Sequence, residues 1–351
     1  MATDSGGPAR PARPVGLRDV ARLSGVSVAT ASLALNGQSG VAEETRRRIV
    51  TAAEQLGYHA NPQAQALRRG RTTTYGFLVR NFANPFFLEV LSGAQQVAAE
   101  AGATLLVLDS RYSLERERRH VQELAAQRVA GLAIAPVGTG ASIGLWQDLR
   151  PGAPVVALNA SADGIKGVSR VSPDNAAAVE LPMRRLAELG HVHIAFLSAP
   201  SHLVADPDRL RHFRCLARDL DLRPCVVYSL LTIADVQQAA VAFLSARDAP
   251  TAIITNSDYT AHAIYKAARE LGLPVGRGIS VVGHDDLPTS ELLDPPLATI
   301  RMDHRAMGRA LMMRLLEPSL QDDYLAGVEL VERTSIQRLE VIRLRPVHLP
   351  R

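Results

Sequence analysis

Beyond residue 72 the chain repeats one local pattern, a short and almost uninterrupted apolar run followed by an amphipathic stretch of helical period. The apolar runs fall at residues 75–79, 104–108, 131–135, 155–158, 193–197, 251–255 and 280–282. Helical stretches at 85–101, 115–128, 175–189 and 259–271 separate most of them. Strands that are apolar throughout cannot turn one face to water, so they must lie in parallel sheets covered by helices on both sides. About 270 residues exceed what one core holds and suffice for two such sheets. A ligand would then sit in a crevice beside the strand C-termini.

The first fifth of the chain has another texture. Residues 1–16 are rich in Gly, Pro, Ala and Arg without periodicity, and a disordered tail is expected there. From Leu17 the pattern is helical, with Val20, Ala21 and Leu23 as an apolar patch that ends at Gly25. Ser27 then stands at an N-cap position, a second short helix runs over 28–35 to Asn36-Gly37, and a third covers about 43–56. Glu43 and Glu44 suit the positive end of that third helix. Ala21, Gly25, Val26, Ala31 and Ala34 place small residues where two helices could cross tightly. The spacing fits a helix-turn-helix, whose second helix enters a major groove ~12 Å wide; an ordinary helical hairpin fits it too.

Charge separates the same two parts. Residues 1–71 hold ten arginines against five carboxylates, and the rest holds 29 bases against 30 acids. A basic unit joined to a near-neutral one is what phosphate binding asks for. The only two cysteines, Cys215 and Cys225, imply neither a disulfide framework nor a metal cluster. The first residues, MATDSGGPARPARP, lack the apolar core of a secretory signal, and no run nears the ~18 apolar residues that span a bilayer. A cytoplasmic location is expected, with no membrane association. Signals for enzymes are weak: Gly138, Gly140 and Gly144 miss the dinucleotide spacing by one position, GxSxG is absent, and His191 and His193 flank a single residue. A dehydrogenase-like enzyme, or a sugar-binding protein without DNA function, is the competing reading.

The run LRDVARLSGVSVATASLALNG, followed by VAEETRRRIVTAAEQLGYHANPQAQALRRGRT, closely resembles the headpiece of the LacI/GalR family of bacterial transcriptional regulators. The resemblance implies a helix-turn-helix domain over 17–60 and a hinge helix or linker over 61–71. It implies that Val28, Ala29 and Leu33 read bases, while Ser27, Thr30, Ser32 and Asn36 hold phosphates and sugars, with Leu17 and Arg18 also at the DNA. Leu33 departs from the polar or basic residue common there, so apolar contact is expected in its place. Asn61, Ala64 and Leu67 fall in the hinge, where Leu67 would wedge into the minor groove beside its symmetry mate. Eight or nine residues do not hold a helix alone, so the hinge should order only with DNA and a partner hinge.

The resemblance continues through YGFLVRNFANPFF, VSPDN, NSDYTAHAIYKAARELGL, ISVVGHDDLP and DPPLATI. It implies a periplasmic-binding-protein-like domain over 73–351, with an N-subdomain of about 73–161 and 301–326 and a C-subdomain of about 162–300 and 327–351. A small-molecule effector, expected to be a carbohydrate or related metabolite, would bind between them. By position Asn81, Phe86, Phe87, Arg209, Leu231, Ser257, Asp258 and Asp285 are the expected contacts, although Asp258 could instead cap a helix and either phenylalanine could be core. His284 replaces the family's usual aromatic, and Leu231, Met302 and His304 alter positions that often touch ligand. The expectation is a repressor without cofactor or metal, binding a pseudo-palindromic double-stranded DNA operator. It would act as a homodimer, because one short reading helix binds weakly and the hinge needs a partner, and the C-terminal HLPR without a leucine heptad is not expected to form a tetramer tail.

Overall fold

The computed structural model describes residues 15–58, 72–160, 165–200, 202–203 and 207–339. They form two compact units that meet in sequence at Thr72 and Thr73. The expected N-terminal tail up to residue 14, the hinge positions Asn61, Ala64 and Leu67, and the C-terminal residues 340–351 lie outside the described residues.

In the first unit, α1 spans Leu17–Ser24, α2 Val28–Leu35 and α3 Glu43–Gln55. Asp19 Oδ2 accepts the Gly16 N–H at 2.9 Å and so closes the start of α1. Gly25, at φ 67°, ends it in a left-handed turn that a side chain would strain. Two residues on, Ser27 Oγ accepts the Thr30 N–H and starts α2. The core is small, as a tight crossing requires: Val20, Ala21, Ala31, Ala34, Ile49, Ala52 and Ala53. Leu23 does not join it. It is 52% exposed, and Ser24 is buried instead, with its hydroxyl on the Val20 carbonyl. Ser24 follows Val20 by four residues and Ala21 by three, so helical geometry turns Ser24 inward and Leu23 out.

The second unit begins with β1 (Thr74–Val79), α4 (Phe86–Glu100), β2 (Thr104–Asp109), α5 (Leu114–Ala126), β3 (Leu132–Ile134), α6 (Ala141–Leu149), β4 (Val155–Leu158) and β5 (Ser169–Pro173). It continues with α7 (Asn175–Glu188), β6 (His193–Ser198), α8 (Pro207–Asp219), β7 (Arg223–Tyr228), α9 (Ile233–Leu244), β8 (Ala252–Ile254), α10 (Asp258–Glu270) and β9 (Ser280–Val282). After a 3-10 turn at Pro288–Leu292 come β10 (Thr299–Arg301), α11 (His304–Leu316), β11 (Tyr324–Ala326) and β12 (Glu329–Val331). One parallel sheet runs in the order β11-β5-β4-β3-β1-β2 and another in the order β7-β6-β8-β9; β10 and β12 pair antiparallel as a ribbon.

All seven apolar runs read from the sequence are strands. The sequence missed β5, β7 and the three-residue β10, β11 and β12. β7 carries Pro224 and lies at a sheet edge, where proline is tolerated but hides the strand signal. β5 alternates buried and half-buried residues instead of running apolar. It also stays in the first sheet, so the chain leaves that subdomain after Pro173, later than the boundary at about 161 expected from sequence.

The chain returns to the first subdomain at α11, which packs backbone to backbone on α4. A Cβ on Gly308 would stand 1.9 Å from the Val90 carbonyl oxygen, and one on Gly93 2.1 Å from that of Arg305. Phe86, Phe87, Val90, Ala94, Met307 and Leu311 fill the core around that crossing. A separate core packs α9 and α10 against the second sheet through Val236, Ala240, Ile253, Ile264 and Ala267. No helix among the described residues is long and apolar enough to cross a membrane.

Candidate functional site

Two sites follow from these elements, and the first is the exposed side of α2. Ala31 and Ala34 anchor the helix inward, which leaves Ser27, Val28, Ala29 and Leu33 exposed and Thr30, Ser32 and Asn36 half-buried. Asn36 caps the helix, its Nδ2 donating to the Ser32 carbonyl at 2.6 Å. Sequence reasoning missed Arg46. From α3 it donates to the Ala34 carbonyl at 2.8 Å and the Gln38 carbonyl at 2.6 Å, a cation on the negative end of α2 that fixes the helix's projection. Arg18 is exposed, whereas Leu17 packs partly against the headpiece core.

The second site is the turn after β9, which lies where the two subdomains approach. Gly283 must be glycine, because a Cβ there would fall 2.0 Å from Asp258 Oδ1. Asp285 and Asp286 adopt φ of 117° and 51°, costly for residues with side chains. The surroundings hold them there. Asp285 donates its N–H to the Ile300 carbonyl at 2.8 Å, Asp258 donates its own to the His284 carbonyl at 2.7 Å, and Gly283 bonds the Ala298 carbonyl at 2.8 Å.

Asp285 is the centre of the site. It is 3% exposed, its Oδ1 lies 3.0 Å from His284 Nδ1, and its Oδ2 has no hydrogen-bond partner among the described residues. Burial pushes its pKa up to about 7, against the pull of His304, Arg209 and Asn84. Asn84 and His304 come from the first subdomain and Arg209 from the second, so the carboxyl is shared across the cleft. His304 packs edge-on against Phe86 at 5.1 Å, its Nε2 is buried with no partner among the described residues, and burial holds its pKa down. Arg209 donates to the Asn256 carbonyl at 3.0 Å.

The structure thus brings together Asp285, Arg209 and, beneath His304, Phe86. Asn81, half-buried just after β1, bonds instead to the half-buried Tyr112 phenol, and its Oδ1 accepts the Ala83 N–H at 2.9 Å. Others point elsewhere. Ser257 caps α10 by accepting the Thr260 N–H. Asp258 is fully buried inside the second subdomain, where it accepts from the Leu287 N–H at 2.8 Å, Ser290 Oγ at 2.5 Å and Thr299 Oγ1 at 2.6 Å. Burial and then the Asp285 charge raise it to about 7. Leu231 is 4% exposed, and Phe87 lies beneath the Arg80 guanidinium, 6.0 Å away.

Arg80 itself escaped the sequence reading. It is buried at the end of β1, donates to the Pro136 and Asn159 carbonyls, and offsets the buried Glu117, whose pKa burial raises. A signal existed, since a charged residue directly after an apolar parallel strand lies where such sheets bind ligands. Tyr112, at φ 55°, gave none.

Asp286 carries the site outward. It pairs with Arg301 of β10 at 2.6 Å and with Arg333 after β12 at 2.8 Å, so both strands of the crossover ribbon are held by the residue next to Asp285.

A helix-turn-helix joined to two parallel-sheet subdomains around a polar cleft defines a DNA-binding regulator. Residues 16–61 match the family of bacterial regulatory proteins of the lacI type, and residues 72–339 match the periplasmic binding proteins and sugar binding domain of the LacI family. The chain belongs to the LacI family of transcriptional regulators. It is similar to the transcriptional regulator MalR of Streptomyces coelicolor, 32% identical over 94% of this chain and 99% of MalR. It is also similar to the transcriptional repressor PurR of Aliivibrio fischeri, 29% identical over 91% of this chain and 98% of PurR. Among solved structures, the lac repressor dimer bound to operator and the anti-inducer ONPF shares the fold with a TM-score of 0.83 and 28% identity, over 93% of this chain and all of that one.

Proposed function

We propose that the protein is a cytoplasmic, homodimeric repressor that binds a pseudo-palindromic operator and is controlled by a small polar effector, a sugar or related metabolite, in the cleft at Asp285. One observation carries the reading: Asp285 lies among Asn84 and His304 of one subdomain and Arg209 of the other, while its neighbour Asp286 clasps the crossover ribbon through Arg301 and Arg333. A ligand that engages Asp285 therefore acts on the turn that also anchors the connections between subdomains. Its leverage on DNA equals its difference in affinity for the two arrangements. Asp285 Oδ2 and His304 Nε2, buried and without a hydrogen-bond partner among the described residues, are the atoms an effector would satisfy.

The dimer is supported by surface left uncovered on the second subdomain. A groove of about 900 Å³ is lined by Tyr259, His262, Tyr265, Leu273, Leu292 and Leu293, and Leu292 is 82% exposed. Dimerisation sets two α2 helices on two half-sites and lets the hinge segments with Asn61, Ala64 and Leu67 pair.

The test combines a thermal-shift screen of sugars and metabolites with operator binding at several salt concentrations. Specific binding that weakens with salt, and that a hit modulates in the wild type but not in Asp285→Ala, is expected. Effector affinity unaltered in Asp285→Ala would move the site elsewhere.

A further inference from the structure

The exposed side of α2 offers the major groove almost nothing that can hydrogen-bond a base. From Val28 to Leu35 there is no Arg, Lys, Asn, Gln, Asp or Glu. The side chains turned outward are Val28, 43% exposed, Ala29, and Leu33, 37% exposed. Ala29 and Leu33 are one turn apart and share a face, with Val28 beside them on the first turn. The polar groups near them serve the helix itself. Ser27 Oγ caps Thr30 and lies 2.8 Å from its hydroxyl, and Asn36 Nδ2 reaches the Ser32 carbonyl and hydroxyl. Such hydroxyls can still accept or donate at a phosphate, which sets register without reading sequence.

An apolar surface pressed against donors and acceptors strips their water and returns no bond, at about 1–3 kcal/mol per group. The major-groove edge holds one group that gains from such contact, the C5-methyl of thymine. We propose that this protein reads its half-sites through pyrimidine C5-methyl groups, with Leu33, Val28 and Ala29 as the reading residues. This rests on the DNA-reading role of α2 and names the chemistry it recognises. It has a consequence for modified DNA: 5-methylcytosine presents the same methyl in the same groove and substitutes for thymine where cytosine does not.

The experiment selects binders for the full-length chain from two random duplex libraries, one made with thymine and one with uracil, which lacks only the methyl. Each selection is run with and without a low-molecular-weight metabolite extract. The thymine library should yield a consensus with thymines at the steps that α2 faces, and the uracil library should show no preference at those steps. Within the consensus, one thymine-to-uracil change at a contacted step should weaken binding about four-fold, the value of one buried methyl. Cytosine at that step should bind poorly and 5-methylcytosine should recover it. Leu33→Ala should abolish the uracil penalty at one step of each half-site; Leu33 is exposed, so the fold tolerates the change. The same consensus with equal affinity from both libraries overturns the inference and leaves DNA reading intact. Enrichment from neither library overturns DNA reading by α2, and the inference with it.

Discussion

Replacing Asp258 by Asn separates a carboxylate that binds ligand from one that holds the fold. Its oxygens accept three hydrogen bonds inside the second subdomain, from Leu287, Ser290 and Thr299. Yet burial and the nearby Asp285 raise its pKa from 3.8 to about 7. A raised carboxyl pKa means that the folded state binds the proton more tightly than the unfolded chain. The stability that Asp258 contributes is therefore fully present below about pH 4 and is lost as pH rises through 7, by about 4 kcal/mol for a shift of this size. Asn mimics the neutral acid. Its oxygen can face Leu287 and Ser290, and its amide can donate to the Thr299 hydroxyl, so the substitution should cost about 1 kcal/mol in acid. Above pH 7 it avoids the buried charge, and the difference between variant and wild type should swing by about 4 kcal/mol in the variant's favour. Denaturant unfolding at pH 4 to 8 measures both. Asp258→Ala should destabilise throughout, because three donors lose their acceptor. Effector affinity should be nearly unchanged in Asp258→Asn. A pH-independent difference, or normal stability with lost effector binding, would refute the assignment.

Ser27→Ala removes the acceptor for the Thr30 N–H and should lower headpiece stability by about 1 kcal/mol, seen as an earlier unfolding transition of the first unit. Gly308→Ala sets a methyl against the Val90 carbonyl and should cost about 3 kcal/mol or more in the thermal transition of the second unit; a smaller loss would mean that α4 and α11 separate easily. Leu67→Ala in the hinge should weaken specific operator binding far more than binding to random duplex, and equal losses in a titration of the two would remove the wedge role.

Much of this protein was determined by sequence alone. The apolar runs forced parallel sheets because a strand without a polar side has nowhere to meet water. The small residues at Ala21, Gly25, Ala31 and Ala34 forced a tight helix pair because larger ones cannot cross so closely. Asp285 was legible as a polar pair in a turn after a buried strand. What only the tertiary structure decided is which carboxylate lies between the subdomains. Asp258 and Asp285 are both buried aspartates beside apolar strands, and sequence cannot say that Leu287, Ser290 and Thr299 converge on one while Asn84, Arg209 and His304 surround the other. Arg46 and the clasp of Asp286 on Arg301 and Arg333 stayed hidden for the same reason. Periodicity records what each residue does with water. Contacts between residues far apart in the chain are set by how whole elements pack, and no local pattern carries that information.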